Sequence, residues 1–131
     1  MNAHIVEAKV LTPEQIVPEA QAKFDAGYRL VTITVLMADE QHMELLYHYD
    51  KANDMVNLRV KVKKDLPIPS ISGIYFCALL IENEVRDLFD VRFDGLVLDF
   101  NRTLLLTDDT KKVVNAPFFY IPAPKNTSKR A

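Results

Sequence analysis

Three carboxylates lie close together in the stretch "LLIENEVRDLF", at Glu82, Glu84 and Asp87. Two carboxylates can serve as general acid and general base when the fold holds both against one substrate. Residues two apart on a helix point in different directions, so Glu82 and Glu84 do not form such a pair on one helical face. No histidine and no glycine-rich loop lies near them in the sequence. The spacing therefore favours a structural or docking role for these acids over catalysis.

Glu82 falls on a stripe of otherwise apolar residues at helical spacing. We predict that Ser70 caps this helix and that the stripe consists of Ile71, Ile74, Tyr75, Ala78, Glu82, Val85 and Phe89. An unpaired buried carboxylate would be costly, so Glu82 needs a partner. One interpretation pairs it with Arg86, four residues on, at the edge of the stripe. The other makes Glu82 a position where a charged or hydrogen-bonding partner docks.

Other residues that could carry chemistry are few. His42 and His48 share a predicted strand face but are separated by roughly 20 Å at the strand rise, so they cannot share one metal. With His4 they are interpreted as surface histidines. Cys77 is the only cysteine, cannot form an internal disulfide, and is predicted to be a small buried hydrophobe. We find no dinucleotide-binding motif, phosphate loop or serine elbow and expect no catalytic, cofactor or metal site.

Length and charge narrow the class of protein further. The 131 residues suit one domain, and the net charge of −2 predicts no general affinity for nucleic acid or anionic membranes. No apolar run approaches the roughly 20 residues of a membrane span, so no direct membrane insertion is expected. The N-terminal "MNAHIVEAKV" lacks the basic start and apolar centre of a signal peptide, which predicts a cytoplasmic protein.

The periodicity predicts an α+β fold, with an antiparallel β-meander packed on one face by helices and an irregular C-terminal extension. A short first strand within "HIVEAKVLT" and a helix over Pro18–Ala26, ended by Gly27, precede the meander. The meander strands are predicted at Tyr28–Met37, His42–Asp50 and Met55–Lys63.

The second and third of these strands alternate cleanly around the turn "KAND". The register that keeps apolar residues together also sets Glu44 opposite Lys61. It pairs Tyr49 with Val56, Tyr47 with Leu58, Leu45 with Val60 and Met43 with Val62. Beyond Gly95, "LVLDF" and "TLLL" are possible short strands and "APFFYIPAP" is predicted to be extended. We predict a single domain over 1–122 and a flexible tail over 123–131.

The segment 67–106 resembles the signature of the thirty-kilodalton subunit of respiratory complex I, which is the C subunit of NADH:quinone oxidoreductase. It looks closer still to the matching small subunit of energy-converting, membrane-bound [NiFe] hydrogenases of the Ech type. The family pattern runs P-S-I/L-x-x-I/L-Y/W-P-x-A, then W-x-E-x-E-x-x-D-L/M-F-G-I/V, then F-x-G. The matching residues are Pro69, Ser70, Ile71, Ile74, Tyr75, Ala78, Glu82, Glu84, Asp87, Leu88, Phe89, Val91, Phe93 and Gly95.

Departures from the pattern distinguish the two branches of the family. Phe76 stands where the family often has proline, Leu80 replaces the usual tryptophan, and Asp90 replaces the usual glycine. Complex I members continue with a histidine-proline segment and a basic tail, whereas this chain continues with "GLVLDFNRTLLL" and "APFFYIP". These features resemble the shorter hydrogenase-type subunit.

The resemblance implies a non-catalytic subunit in the peripheral arm of a complex that couples electron transfer to ion translocation. It implies docking to a large hydrogenase-like catalytic subunit and an iron–sulfur subunit, at the inner face of the cell membrane. The partners are expected to carry the NiFe and iron–sulfur centres, and this chain no cofactor. The residues expected to serve docking or the family motif are Pro69, Ser70, Ile71, Tyr75, Glu82, Glu84, Asp87, Phe89 and Gly95.

The sequence also leaves open a free-standing α+β module that binds or senses a small ligand, because fold does not fix function. An enzyme in its own right comes last, since no nucleophile and base are placed together. An exposed apolar patch would favour the subunit, and a closed pocket would favour the module.

Overall fold

The structure is a computed structural model that describes residues 8–102 and Leu104. A 3-10 turn at Pro13–Gln15 precedes the first helix. The helices are α1 (Ile16–Asp25) and α2 (Ala78–Phe89). The strands are β1 (Lys9–Leu11), β2 (Arg29–Met37), β3 (His42–Lys51), β4 (Asp54–Lys63), β5 (Ile68–Pro69) and β6 (Phe93–Asp94).

Four strands form the main sheet in the order β1-β4-β3-β2, and β5 pairs with β6 in a separate two-stranded ladder. The predicted α+β class and the antiparallel meander of β2, β3 and β4 are confirmed. The sheet as a whole is mixed, because β1 runs parallel to β4. Since β1 and β2 lie at opposite edges, the connection through α1 carries the chain from one edge of the sheet to the other.

The predicted register between β3 and β4 is confirmed at each apolar pair and at Glu44 opposite Lys61. The strands reverse through Ala52 and Asn53, whose φ angles of 46° and 70° lie in the left-handed region. Asparagine tolerates this region better than most residues, which suits a tight hairpin turn. A slip by one residue would turn the whole apolar face of β3 outward, so the alternation fixes the register.

Both helices contribute to one core on one face of the sheet, as predicted. The sheet supplies fully buried side chains such as Met43, Leu45 and Val60, and α1 adds Ile16 and Ala20. From α2, the core receives Ala78, Val85 and Phe89. Because this face of α2 packs against the sheet, the other faces of the helix point away from the core.

The helix boundaries differ from the sequence predictions. α2 begins at Ala78 and not at Ser70, because residues 70–77 continue from β5 through turns closed by bonds such as Tyr75 N–H to the Ile71 carbonyl at 2.9 Å. α1 begins two residues earlier than predicted, at Ile16. Pro18 then lies in its first turn, where the missing N–H loses no helical bond. Gly27 follows the helix with φ at +87°, the predicted glycine stop.

Beyond α2, the strand is Phe93–Asp94, and "LVLDF" at 96–100 is not a strand. Backbone amides of Val97 and Phe100 in this segment bond to the side chains of Ser72 and Asn83, and not to a neighbouring strand. The predictions for "APFFYIPAP" and the tail at 123–131 fall outside the described residues, as does most of "TLLL".

Candidate functional site

The Glu82 carboxylate lies fully buried between α2 and the segment that follows β5. Ser70 Oγ donates to Glu82 Oε1 at 2.6 Å, and the Ile71 N–H donates to Oε2 at 2.9 Å. Burial raises the pKa of Glu82 to about 7, although hydrogen bonds from Ser70 and from the Ile71 and Ser72 amides oppose the shift. The carboxylate thus holds the 70–72 segment against the helix from inside the protein.

The proposed pairing of Glu82 with Arg86 is wrong. Arg86 instead bonds through Nε to Asp99 at 2.8 Å and through Nη1 to the Val91 carbonyl at 3.0 Å. The arginine therefore fastens the chain beyond α2 to the helix. Helical spacing correctly placed Arg86 within reach of Glu82. It could not reveal that Ser70 and Ile71, on the segment before the helix, donate the hydrogen bonds to this carboxylate.

Tyr47 lies beside this buried acid in the core. Its hydroxyl has no hydrogen-bond partner among the described residues. Burial, and secondarily the charge of Glu82, raises the pKa of Tyr47 well above its usual value. Burial thus shifts both groups toward their uncharged forms, compared with the same groups in water.

Asn83 was not identified from the sequence, yet it connects α2 to the 97–100 segment. Its Nδ2 donates to the carbonyls of Leu79 and Leu98, both at 2.8 Å, and its Oδ1 accepts from the Phe100 N–H at 2.9 Å. The Ser72 Oγ accepts a further bond from the Val97 N–H at 3.0 Å. The sequence contained one sign of this role, because Asn83 directly follows Glu82 on the same predicted helix. Together these side chains hold the 97–100 segment at the beginning of α2.

The remaining motif residues have mainly internal positions. Asp87 is fully buried, and its carbonyl accepts from Arg102 Nη2 at 3.0 Å. The Tyr75 hydroxyl donates to the Tyr28 carbonyl at 2.7 Å, and its ring contacts those of Phe24 and Tyr49. Phe89 lies in the core.

Three further motif positions complete the set. Pro69 is half-buried in β5, and Gly95 follows β6 with φ at +84°, a conformation that favours glycine. Glu84 is half-buried and lines a groove beside β2. The structure thus brings together Ser70, Ile71 and Glu82. The docking role expected for these residues stays a prediction, and for the buried Glu82 any effect on a partner would be indirect.

Large apolar side chains are exposed around the beginning of α2. Phe76 is 75% exposed, and Leu80, one helical turn further, is 56% exposed. Val97 and Leu98 are 57% and 50% exposed on the segment that Asn83 and Ser72 hold beside the same helix. We call these four residues the α2 apolar surface. Clustered exposed apolar side chains are a feature of protein interaction sites, so these four residues are the candidate docking surface.

Cys77, between Phe76 and Leu80 in the sequence, is exposed, so the prediction of a buried cysteine is wrong. The next residue, Ala78, is the one that enters the core at the start of α2, whereas Cys77 lies outside it. The sulfur is 4.0 Å from the Leu30 carbonyl of β2. The exposed thiol provides a natural reporter for this region.

No helix within residues 8–102 has the length and apolar character to cross a membrane. Over the same residues, no three histidine, cysteine or acidic side chains are arranged to hold a metal ion. The expectation that this chain carries no cofactor stays a prediction.

The same fold occurs in solved structures of other proteins. A trypsin-resistant fragment of Nqo5 matches with a TM-score of 0.57 and 24% identity, over 66% of this chain and 76% of that one. A chain in the membrane-bound sulfane sulfur reductase, described as an archaeal respiratory membrane complex, matches with a TM-score of 0.67 and 21% identity. This second match covers 86% of the present chain and 71% of that one. These likenesses define the class of fold.

The family follows from the sequence. Residues 10–118 match the family described as "Respiratory-chain NADH dehydrogenase, 30 Kd subunit", and the chain belongs to this family. It is 27% identical over 78 residues to the C subunit of NADH-quinone oxidoreductase from Caulobacter vibrioides. That alignment covers 60% of the present chain but 31% of the relative, so the chain matches less than a third of the length of this curated protein.

Proposed function

We propose that this protein is a non-catalytic subunit in the peripheral arm of a membrane-bound respiratory oxidoreductase complex. The observation that carries the proposal is the α2 apolar surface, in which four large apolar side chains at least half exposed adjoin the beginning of one helix. Asn83 and Ser72 hold Val97 and Leu98 beside α2 through hydrogen bonds within this chain. A preordered apolar surface loses little conformational entropy on docking, which favours a stable interface.

The partner that fits this proposal is the large catalytic subunit of the same complex. Phe76 and Leu80 occupy the positions where the family resemblance places proline and tryptophan. Large apolar side chains at the centre of an interface contribute most of its binding energy. Because both residues depart from the family pattern, the partner surface that this chain contacts should differ in shape from the surface that a standard complex I subunit contacts.

Within this class we propose an energy-converting hydrogenase of the Ech type. The feature that supports it is the leucine-rich continuation after Gly95, which stands where complex I members have a histidine-proline segment. In this proposal an iron–sulfur subunit is a second partner, the NiFe and iron–sulfur centres lie on the partners, and the assembly sits at the cytoplasmic face of the membrane.

Affinity purification of the tagged full chain from its native membranes in mild detergent tests the proposal. We expect a [NiFe]-type large subunit, an iron–sulfur subunit and antiporter-like membrane proteins in the eluate, identified by mass spectrometry. A quinone-reductase set would retain the subunit role and reject the hydrogenase assignment. Recovery of the wild-type chain alone, soluble and monomeric, would reject the subunit role.

A matched pair of variants links that result to the surface. Phe76→Ser combined with Leu80→Ser should reduce recovery of the large subunit by about tenfold or more, because it removes two exposed apolar anchors. Val10→Ser combined with Met55→Ser alters two equally exposed apolar residues elsewhere and should leave recovery unchanged. Equal recovery with both pairs would place the contact on another surface.

A free-standing ligand-binding module remains the second candidate, and one observation favours it. A groove of about 300 Å³ lies between β2 and α2. This volume is at the lower end of the ~300–1,000 Å³ typical of small-molecule sites. A ligand retained by the purified monomer, without co-purifying subunits, would support this candidate.

A further inference from the structure

The strand β2 forms one edge of the main sheet and is chemically unprotected. Its central residues, "LVTITVLM" at 30–37, contain no charged residue and no proline. Soluble proteins usually protect an edge strand with charges, proline, a bulge or a covering segment. β2 has an irregularity between Leu30 and Thr32, at one end of the strand. From Thr32 to Met37, within the part of the chain that the structure describes, no backbone hydrogen bond joins the outward edge of β2 to another segment, so this edge can pair with a further strand.

The groove between β2 and α2 runs along this edge. One side is formed by Thr32, Ile33, Thr34 and Val35, and the other by one face of α2. The α2 side is apolar, with Ile81, Val85, Leu88 and Phe89, except for the Glu84 carboxylate. A strand added to β2 would direct every second side chain toward this helix wall.

We propose that β2 pairs with an extended segment of the partner subunit, in which apolar residues face α2 and a lysine or arginine meets Glu84. The inference rests on the proposed function, because it specifies which kind of segment of the partner subunit this chain binds. Glu84 is the single charged side chain of the groove, so a cationic residue supplies the complementary charge.

A second copy of this chain fits the groove less well. Pairing β2 with its symmetry-related copy would bring both α2 helices and both Glu84 carboxylates to the same edge. The two like charges would repel in a partly buried site. A partner strand with one basic residue avoids this conflict and still pairs the backbone of β2.

Two variants of the full chain test the pairing, and both are used in the native complex. Thr32→Lys places a charge on the exposed edge of β2, and Glu84→Lys reverses the charge in the groove. Each should reduce recovery of the large subunit by about tenfold or more. Val10→Lys, at an exposed position on the opposite edge strand β1, is the matched control and should leave recovery unchanged. Circular dichroism of each purified variant verifies that it folds.

Hydrogen exchange and cross-linking supply readouts that a general loss of stability would not produce. In the wild-type complex, amides of 32–37 should exchange more slowly than in the isolated chain. A photoreactive benzoylphenylalanine at position 32 should cross-link to an apolar segment of a partner protein that contains lysine or arginine. Mass spectrometry identifies that segment.

The outcomes separate this inference from the proposed function. In one outcome, the wild-type chain and both variants recover the same amount of the large subunit, with no slowing of hydrogen exchange in β2 on assembly. In that case the strand pairing is wrong and the subunit role stands. A wild-type chain that recovers no partner overturns both. A homodimer in solution that Thr32→Lys dissociates would show that a second copy occupies the edge, and would overturn the assignment to a partner subunit.

Discussion

Substitution of the buried acid, Glu82→Gln, should remove a pH dependence of folding stability that the wild-type chain shows. Glu82 holds its proton to a pKa of about 7 in the folded chain, against an ordinary value of 4.5. Between these values unfolding releases a proton, so a rise in pH favours the unfolded chain. Stability from this group is fully present below about pH 4.5 and is lost as the pH rises through 7.

The size of this effect follows from the shift in pKa. At about 1.4 kcal/mol per unit, the wild-type chain should lose about 3 kcal/mol of unfolding free energy between pH 4.5 and 8 through this group. Glutamine resembles the protonated acid, because its amide oxygen can accept from the Ile71 N–H while its NH₂ donates to Ser70 Oγ. The variant should therefore match the wild type near pH 5 and exceed it at pH 8.

Urea unfolding at several pH values measures this difference. Circular dichroism is the suitable probe, because the chain contains no tryptophan. Glu84→Gln removes a carboxylate from the same helix at a half-buried position and serves as the matched control, with a wild-type profile expected. Parallel stability curves for the wild type and Glu82→Gln from pH 5 to 8 would refute the reasoning.

Three further predictions concern packing, the 97–100 segment and the thiol. Phe89→Ala should lower the unfolding free energy by about 3–5 kcal/mol, because it leaves a cavity in the core, and a loss below about 1 kcal/mol in urea unfolding would show that Phe89 is not a core residue. Asn83→Ala removes the acceptor of the Phe100 N–H, so exchange at that amide, measured by NMR, should accelerate, whereas unchanged exchange would show that the amide is protected in another way. Cys77 should react with a maleimide in the folded, isolated chain, and reaction only after denaturation would contradict its exposed position.

Alternation in the sequence was sufficient to predict the meander and the register between β3 and β4. Met43, Leu45, Tyr47 and Tyr49 share one face of β3, and a single register keeps all four against apolar partners on β4. A pattern with period two and one buried face specifies both the strand and its neighbour, so this part of the fold is encoded locally.

The surroundings of Glu82 could not be predicted in the same way. The periodicity that starts at Ile71 continues into α2, but residues 70–77 form turns, because Ser70 and Ile71 bond to Glu82, more than ten residues away. Asn83 likewise joins α2 to Leu98 and Phe100. Hydrogen bonds between distant segments leave no periodic signal, so the boundary of α2, the exposure of Cys77 and the α2 apolar surface emerge only from the fold.

The alkylation rate of Cys77 tests most directly whether the beginning of α2 is a docking surface. The chain contains one cysteine, so a single modified mass reports on this position in both the purified chain and native membranes. If Phe76 and Leu80 contact a partner subunit, maleimide should modify the membrane-assembled chain at least about tenfold more slowly than the isolated chain. Equal rates in the two states would contradict docking through this surface.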